Sequence, residues 1–325
     1  MRARKKLYSS LGLAAVLLVV GLVFTSCTQT ASSITSPRYA LVYGIKNYLY
    51  KPLTYTVADA QSIESVLESK GVPSANMIER EDSAVTKAQI KADILSLASV
   101  SSDSTVIIYY SGHGSSVDSS WNDNPSGIVY YPTFSGAYLV PYDAVTNSGL
   151  TFLSMTNLVS PSELQSWIAN IGTKNVILVF DSCYSGAFVS SASTTDASPS
   201  NYASMKSYST FSTAMSNFGS LLVANASASG SKTPIVLSAC GSNEESYDGT
   251  TAMGHGVFTY YLLKAATNGD SNGDGYVTMT EAYAYTTQCI KTWGASLPAS
   301  DDYAGDAAFL PHLSGGIRDL VLFVN

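Results

Sequence analysis

The sequence predicts an α/β protein built on one mainly parallel sheet of about six strands, doubly wound with helices on both faces. Three observations carry that prediction. Four apolar runs are rich in β-branched and aromatic residues, segments of helical periodicity separate them, and glycine-containing turns bearing a histidine and a cysteine follow two of the runs directly. With 46% hydrophobic and 13% charged residues in 325, the chain has ample material for a core and is not disordered.

Tyr39–Gly44 (YALVYG) is the first buried-type run, and Thr56–Lys70 reads as an amphipathic helix with Val57, Ala60, Ile63, Val66 and Leu67 on one face. Gly71 and Pro73 end it. Ala88–Val100 is a second helix and Thr105–Tyr110 (TVIIYY) a strand without alternation, as expected when both faces are covered. Residues 115–137 read as a surface excursion, with Tyr138–Val140 returning as a short strand. Pro161–Ile171 is a helix with proline in its first turn, followed by the strand Asn175–Asp181 (NVILVFD). Pro234–Ala239 (PIVLSA), the helix Gly256–Ala266 and a closing strand, Leu320–Val324, complete the pattern.

The N-terminus carries a different message. Arg2, Arg4, Lys5 and Lys6 precede an uncharged run, Leu11–Phe24, too short to span a bilayer comfortably and typical of a signal-peptide core. Thr25 and Ser26 then lead into Cys27, as in a bacterial lipobox, so residues 1–26 are the expected signal, Cys27 the lipid attachment point and 27–37 a tether. The expected location is outside the cytoplasm, anchored to a bacterial membrane through that lipid. Removing residues 1–26 leaves 13 Lys plus Arg against 24 Asp plus Glu, a net charge of −11. Such a surface repels phosphate backbones, which excludes nucleic acid as a partner.

Beyond Cys27 there are three cysteines, Cys183, Cys240 and Cys289, an odd number at wide spacing that fits neither a disulfide framework nor a zinc site. In an open parallel sheet, reactive groups sit just beyond the carboxyl ends of strands. His113 follows TVIIYY by three residues and Cys183 follows Asp181 by two. If those strands are neighbours, about 4.8 Å apart, imidazole and thiol meet at one rim. There the imidazole takes the thiol proton and later protonates a leaving amine. Gly112, Gly114 and Gly186 permit sharp turns and leave N–H groups uncovered for an oxyanion. Cys240, which also ends a strand, is the rival nucleophile but lacks such a turn. His255 lies in a second Gly-His-Gly that opens a helix, so a structural role is expected of it.

YYSGHG around His113 and VFDSCYSG around Cys183, in that order, resemble the caspase-like cysteine peptidases, specifically the metacaspase branch. The likeness extends through Val57-Ala58-Asp59-Ala60, Tyr138-Leu139-Val140-Pro141 and LSACGSNEES followed by HGVFTYYLLKA. It implies a caspase-like domain over 38–325, with a large-subunit-like part (38–188), a Ser-rich loop (189–232) where relatives carry an intersubunit linker, and a small-subunit-like part (233–325). It also implies His113 as general base and acid, Cys183 as nucleophile, and the N–H groups of Gly114 and Cys183 as the oxyanion hole. Asp181 would line the primary specificity pocket together with Asp59 and Ser111, so the expected substrates are peptides with Arg or Lys before the scissile bond. Tyr184 stands where metacaspases often have histidine, and Lys206 and Lys232 are candidate self-cleavage points, against an uncut loop.

One further motif needs no family. Asp270, Asn272, Asp274, Gly275 and Glu281 fit positions 1, 3, 5, 6 and 12 of a twelve-residue calcium loop, 270–281, with Tyr276 offering its carbonyl and Thr278 a direct or water-mediated contact. Calcium is therefore the expected cofactor, structural or regulatory, and no organic cofactor is expected. The competing class is a non-catalytic, calcium-stabilised surface-binding lipoprotein on a peptidase fold, to which the 22 tyrosines and the polar excursion are suited.

Overall fold

The computed structural model describes residues 35–49, 52–117, 136–144, 155–182, 232–239, 249–298, 310–316 and 318–325. Its centre is a six-stranded sheet. In chain order the main strands are β1 (Arg38–Gly44), β2 (Met77–Glu81), β3 (Thr105–Ser111), β6 (Asn175–Asp181), β7 (Ile235–Ser238) and β9 (His312–Gly315), arranged β2-β1-β3-β6-β7-β9. All neighbours are parallel except β9, which runs antiparallel to β7 at one edge.

Helices cover both faces, as the unbroken apolar runs require. β6 is buried at every position, and β3 at all but Thr105. On one face α1 (Thr56–Ser69), α4 (Val257–Asn268) and α5 (Met279–Ser296) pack with Val42, Ile107, Val179 and Leu237. On the other, α2 (Lys87–Ser96) and α3 (Pro161–Ile168) pack with Leu41, Ile108, Leu178 and Val236. The proline of α3 sits in its first turn behind a reciprocal Ser160–Glu163 capping box. No helix among the described residues is long and apolar enough to cross a membrane.

Three elements depart from expectation. β2 has the sequence MIERE, and its charges are tolerated because it is a half-buried edge strand; charge at an edge also deters pairing with other chains. The LVLFV run does not close the main sheet. As β10 (Val321–Val324) it pairs antiparallel with β8 (Tyr276–Thr278), its apolarity serving the α4–α5 face instead, while the less apolar β9 takes the sheet edge. The first arm of the 115–137 excursion is a strand, β4 (Gly114–Val117), disguised by its small residues; it pairs antiparallel with β5 (Gly136–Leu139), the expected return strand begun two residues earlier. Residues 118–135, the signal and Cys27, and all of the Ser-rich loop except Lys232 lie outside the described residues.

Candidate active site

β3 and β6 are adjacent, parallel and in register, with Ser111 opposite Asp181. Both strands therefore reach the carboxyl rim of the sheet together, and the Gly112 N–H donates to the Asp181 carbonyl at 3.2 Å, carrying the pairing one residue further. His113 lies just beyond, fully buried. Ser182 is the last described residue on the β6 side, so Cys183, Tyr184 and Gly186, like Cys240 and Lys206, fall outside the described residues.

His113 is fixed by two tyrosines, Tyr110 from its own YYSGHG motif and Tyr48, for which the sequence offered no motif. The Tyr48 ring packs on the imidazole at 4.6 Å between centroids, and its hydroxyl accepts the His113 N–H at 3.0 Å. Tyr110, on β3, brings its hydroxyl within 3.0 Å of the His113 carbonyl. Both hydroxyls also reach the Val140 carbonyl, at 2.8 and 2.7 Å. Burial pushes both phenols up, so they stay neutral donors. Gly112 contributes room rather than a turn: a Cβ there would lie 2.7 Å from the Tyr48 hydroxyl and 2.9 Å from that of Tyr110. Gly114 likewise opens a strand, in register with Leu139. The loop carrying Tyr48 is held by Asp82, whose carboxylate accepts the N–H groups of Lys46 (2.8 Å) and Asn47 (2.7 Å) from a left-handed backbone, φ 45°.

The three residues assigned to the specificity pocket come together at the same rim. Ser111 donates to Asp59 Oδ2 at 3.2 Å. Asp59 also accepts the Gly256 N–H, while Asp181 accepts the Thr259 hydroxyl and N–H. Two carboxylates from α1 and β6 thus meet the N-terminus of α4, where unpaired N–H groups and the helix dipole favour negative charge. The approach is close enough to demand glycine at position 256, where a Cβ would sit 2.9 Å from Asp181 Oδ2 and 3.3 Å from Asp59 Oδ2. Since the Thr259 hydroxyl proton points at Asp181, Tyr109 is left to donate to Thr259 Oγ1, 2.6 Å away. Burial pushes the Asp59 carboxyl up from its ordinary value, and its contacts with His255, Gly256 and Ser111 oppose that.

His255 is more than a helix opener. Its Nδ1 lies 2.9 Å from Asp59 Oδ1, which brings the second Gly-His-Gly to the same pair of carboxylates. Nothing in spacing could announce this, because 196 residues separate the partners. Lys232 is anchored elsewhere, its ammonium on the Ala169 and Ile171 carbonyls at the end of α3.

The loop 270–281 is organised but inward-turned. Asp270 accepts the N–H groups of Gly273, Asp274 and Gly275, Asn272 accepts that of Asp274, and Asp274 accepts that of Tyr276. Gly273 and Gly275 have φ of 73° and 85°. Glu281 receives the Ser271 hydroxyl at 2.9 Å and forms a capping box with Thr278 on α5. The donor set is all oxygen and of hard-cation type. Among the described residues no group of three His, Cys, Asp or Glu side chains is clustered, and the loop's amide, carbonyl and hydroxyl oxygens would have to complete a cation's shell. Cys289, the free cysteine among the described residues, is half-buried on α5.

Comparison with known proteins agrees with the topology. The Caspase domain family model matches residues 37–290. Among solved structures, protein GSU0716 from Geobacter sulfurreducens superposes with a TM-score of 0.51 at 16% identity, covering 86% of this chain and 93% of that one. Caspase-1 from Spodoptera frugiperda does so with a TM-score of 0.51 at 10% identity, covering 86% and 88%. No curated protein matches the sequence.

Proposed function

This chain belongs to the caspase-domain family, and on that premise we propose that it is a cysteine endopeptidase cutting after Arg or Lys through His113 and Cys183. The observation that carries the proposal is the register of β3 on β6, from which the chain continues to His113 on one side and Cys183 on the other. The thiolate of Cys183 attacks the peptide carbonyl, forming an S–C bond while the N–H groups of Gly114 and Cys183 hold the oxyanion. His113, having taken the thiol proton, delivers it to the amine as the C–N bond breaks. Water then hydrolyses the thioester. Tyr48 and Tyr110 hold the His113 backbone during this exchange, and Asp59 with Asp181 supplies the negative charge that a basic side chain seeks.

The same proposal takes residues 1–26 as an export signal and Cys27 as the lipid site, with substrates met on the far side of a bacterial membrane. Calcium would be a structural ligand of Asp270, Asn272, Asp274, Glu281, the Tyr276 carbonyl and Thr278, tying the α4–α5 connection without entering the reaction. A thiol-reactive peptidyl probe with a basic terminal residue tests the core of this: labelling at Cys183 is expected. Labelling at Cys240, or none on folded protein, would favour a different nucleophile or the non-catalytic binding protein.

A further inference from the structure

The acidic cluster contains a group that can carry positive charge of its own. Among the described residues bonded to Asp59 (Ser111, Gly256 and His255), only the imidazole can carry positive charge. It is also the more exposed member: the His255 side chain is 20% exposed against 1% for Asp59, and it sits between Gly254, with φ of 67°, and Gly256. The other groups facing the pair are Ser111 and Tyr109 from β3, Asp181 from β6, and Thr259 with the Gly256 N–H from the start of α4. Tyr109 stays neutral, its phenol pushed well up by burial and by both carboxylates. Asp59 and Asp181 are close enough that both would crowd a single Cβ on Gly256. Two such carboxylates at one buried spot call for a counter-charge whenever no basic ligand is present.

We propose that His255 is that resident counter-charge, and that an incoming guanidinium or ammonium group must displace it from Asp59, so that binding of basic side chains strengthens as pH rises. The inference rests on the basic-side-chain pocket proposed above and adds the residue that tunes it. Histidine changes charge between about pH 5 and 8. A protonated imidazole on Asp59 satisfies the charge a ligand would otherwise claim; a neutral one leaves it available. His255 is in this sense a specificity-determining residue, not a catalytic one.

Agmatine, which has a guanidinium and an amine but no scissile bond, is the probe. Its binding to the mature chain is measured by calorimetry at pH 6 and pH 8, for the wild type, His255→Gln and His255→Asn. Wild-type affinity should rise about fivefold or more over that interval. Both variants, neutral and still able to donate an amide N–H toward Asp59, should be flat within about twofold and match the wild type at pH 8. In the wild type, saturating agmatine should lower the midpoint of the His255 imidazole titration seen by NMR. A rise that persists in both variants would assign the titration to Asp59 or Asp181 and overturn the inference. So would variants that stay folded but lose binding at pH 8, or an absence of agmatine binding to the wild type at pH 8. Failure of the peptidase assignment looks different: agmatine binds with the expected pH dependence while Arg peptides are left intact.

Discussion

Two groups of carboxylates in this molecule invite opposite expectations from sequence and behave in opposite ways in the fold. Asp270, Asp274 and Glu281 fall within twelve residues and spell a calcium loop, yet they are turned onto the loop's own N–H groups at the surface. Asp59 and Asp181 are 122 positions apart by number and form no local motif with each other, only the family likeness linking them, yet the parallel sheet and the start of α4 bring them to one buried spot. Local density of acid residues reports turn chemistry first. Convergence of charge against its desolvation cost is a property of topology, and it marks the place where a cationic ligand would gain most.

Charge removal at the buried pair is the most forceful way to test that contrast. Asp181→Asn should lower kcat/KM for Arg peptides by about 100-fold or more, since a desolvated carboxylate partner is worth roughly 3 kcal/mol or above. Asp274→Asn in the surface loop should leave kcat/KM unchanged. Equal effects would erase the distinction between the two groups.

Gly256→Ala comes next. Its Cβ would press on both carboxylates, so unfolding free energy should fall by about 1–3 kcal/mol in a denaturant titration. At Gly254 a Cβ would meet nothing within 4 Å, and only the left-handed backbone, φ 67°, resists substitution. Gly254→Asn, a residue that tolerates this region, should therefore cost well under 1 kcal/mol.

Calcium should sharpen the comparison from the other side. With an affinity near 1 mM, as for extracellular modules, 10 mM calcium would stabilise the fold by about 1.4 kcal/mol. A calorimetric Tm should rise accordingly in the wild type and stay fixed in Asp274→Asn. The smallest effect belongs to Glu79 on edge strand β2, raised to about 7 mainly by burial, with Glu81 and Glu64 adding. A carboxyl with a folded-state value above its unfolded one binds more protons when folded, so stability falls as pH rises from the ordinary carboxylate range to about 7. Glu79→Gln should remove that slope and add a few tenths of a kcal/mol at pH 8, because the group remains partly in solvent.

Much of the fold was legible because buried parallel strands advertise themselves. NVILVFD and TVIIYY needed only their apolarity, and Pro161 marked the start of a helix. β2 was hidden because an edge strand can carry Glu79, Arg80 and Glu81, and β9 because its HLSG sequence has little apolar character. At the site, a residue attached to a strand end could be read: His113, Asp181 and Ser111 all sit at the rim. Asp59, on helix α1, was legible only through the family likeness, and two other residues that arrive from elsewhere were not. Tyr48 comes from a loop braced by a strained Asp82, and His255 from 196 residues beyond Asp59. Their signal is spatial, and only the assembled sheet supplies it.

The most direct test is hydrolysis of Arg, Lys and Asp fluorogenic peptides by the mature chain, beside Cys183→Ala. The proposed function predicts cleavage of the Arg and Lys peptides, none of the Asp peptide, and complete loss in the variant. Cleavage after Asp, or activity that survives Cys183→Ala, would contradict the assignment of pocket or nucleophile respectively.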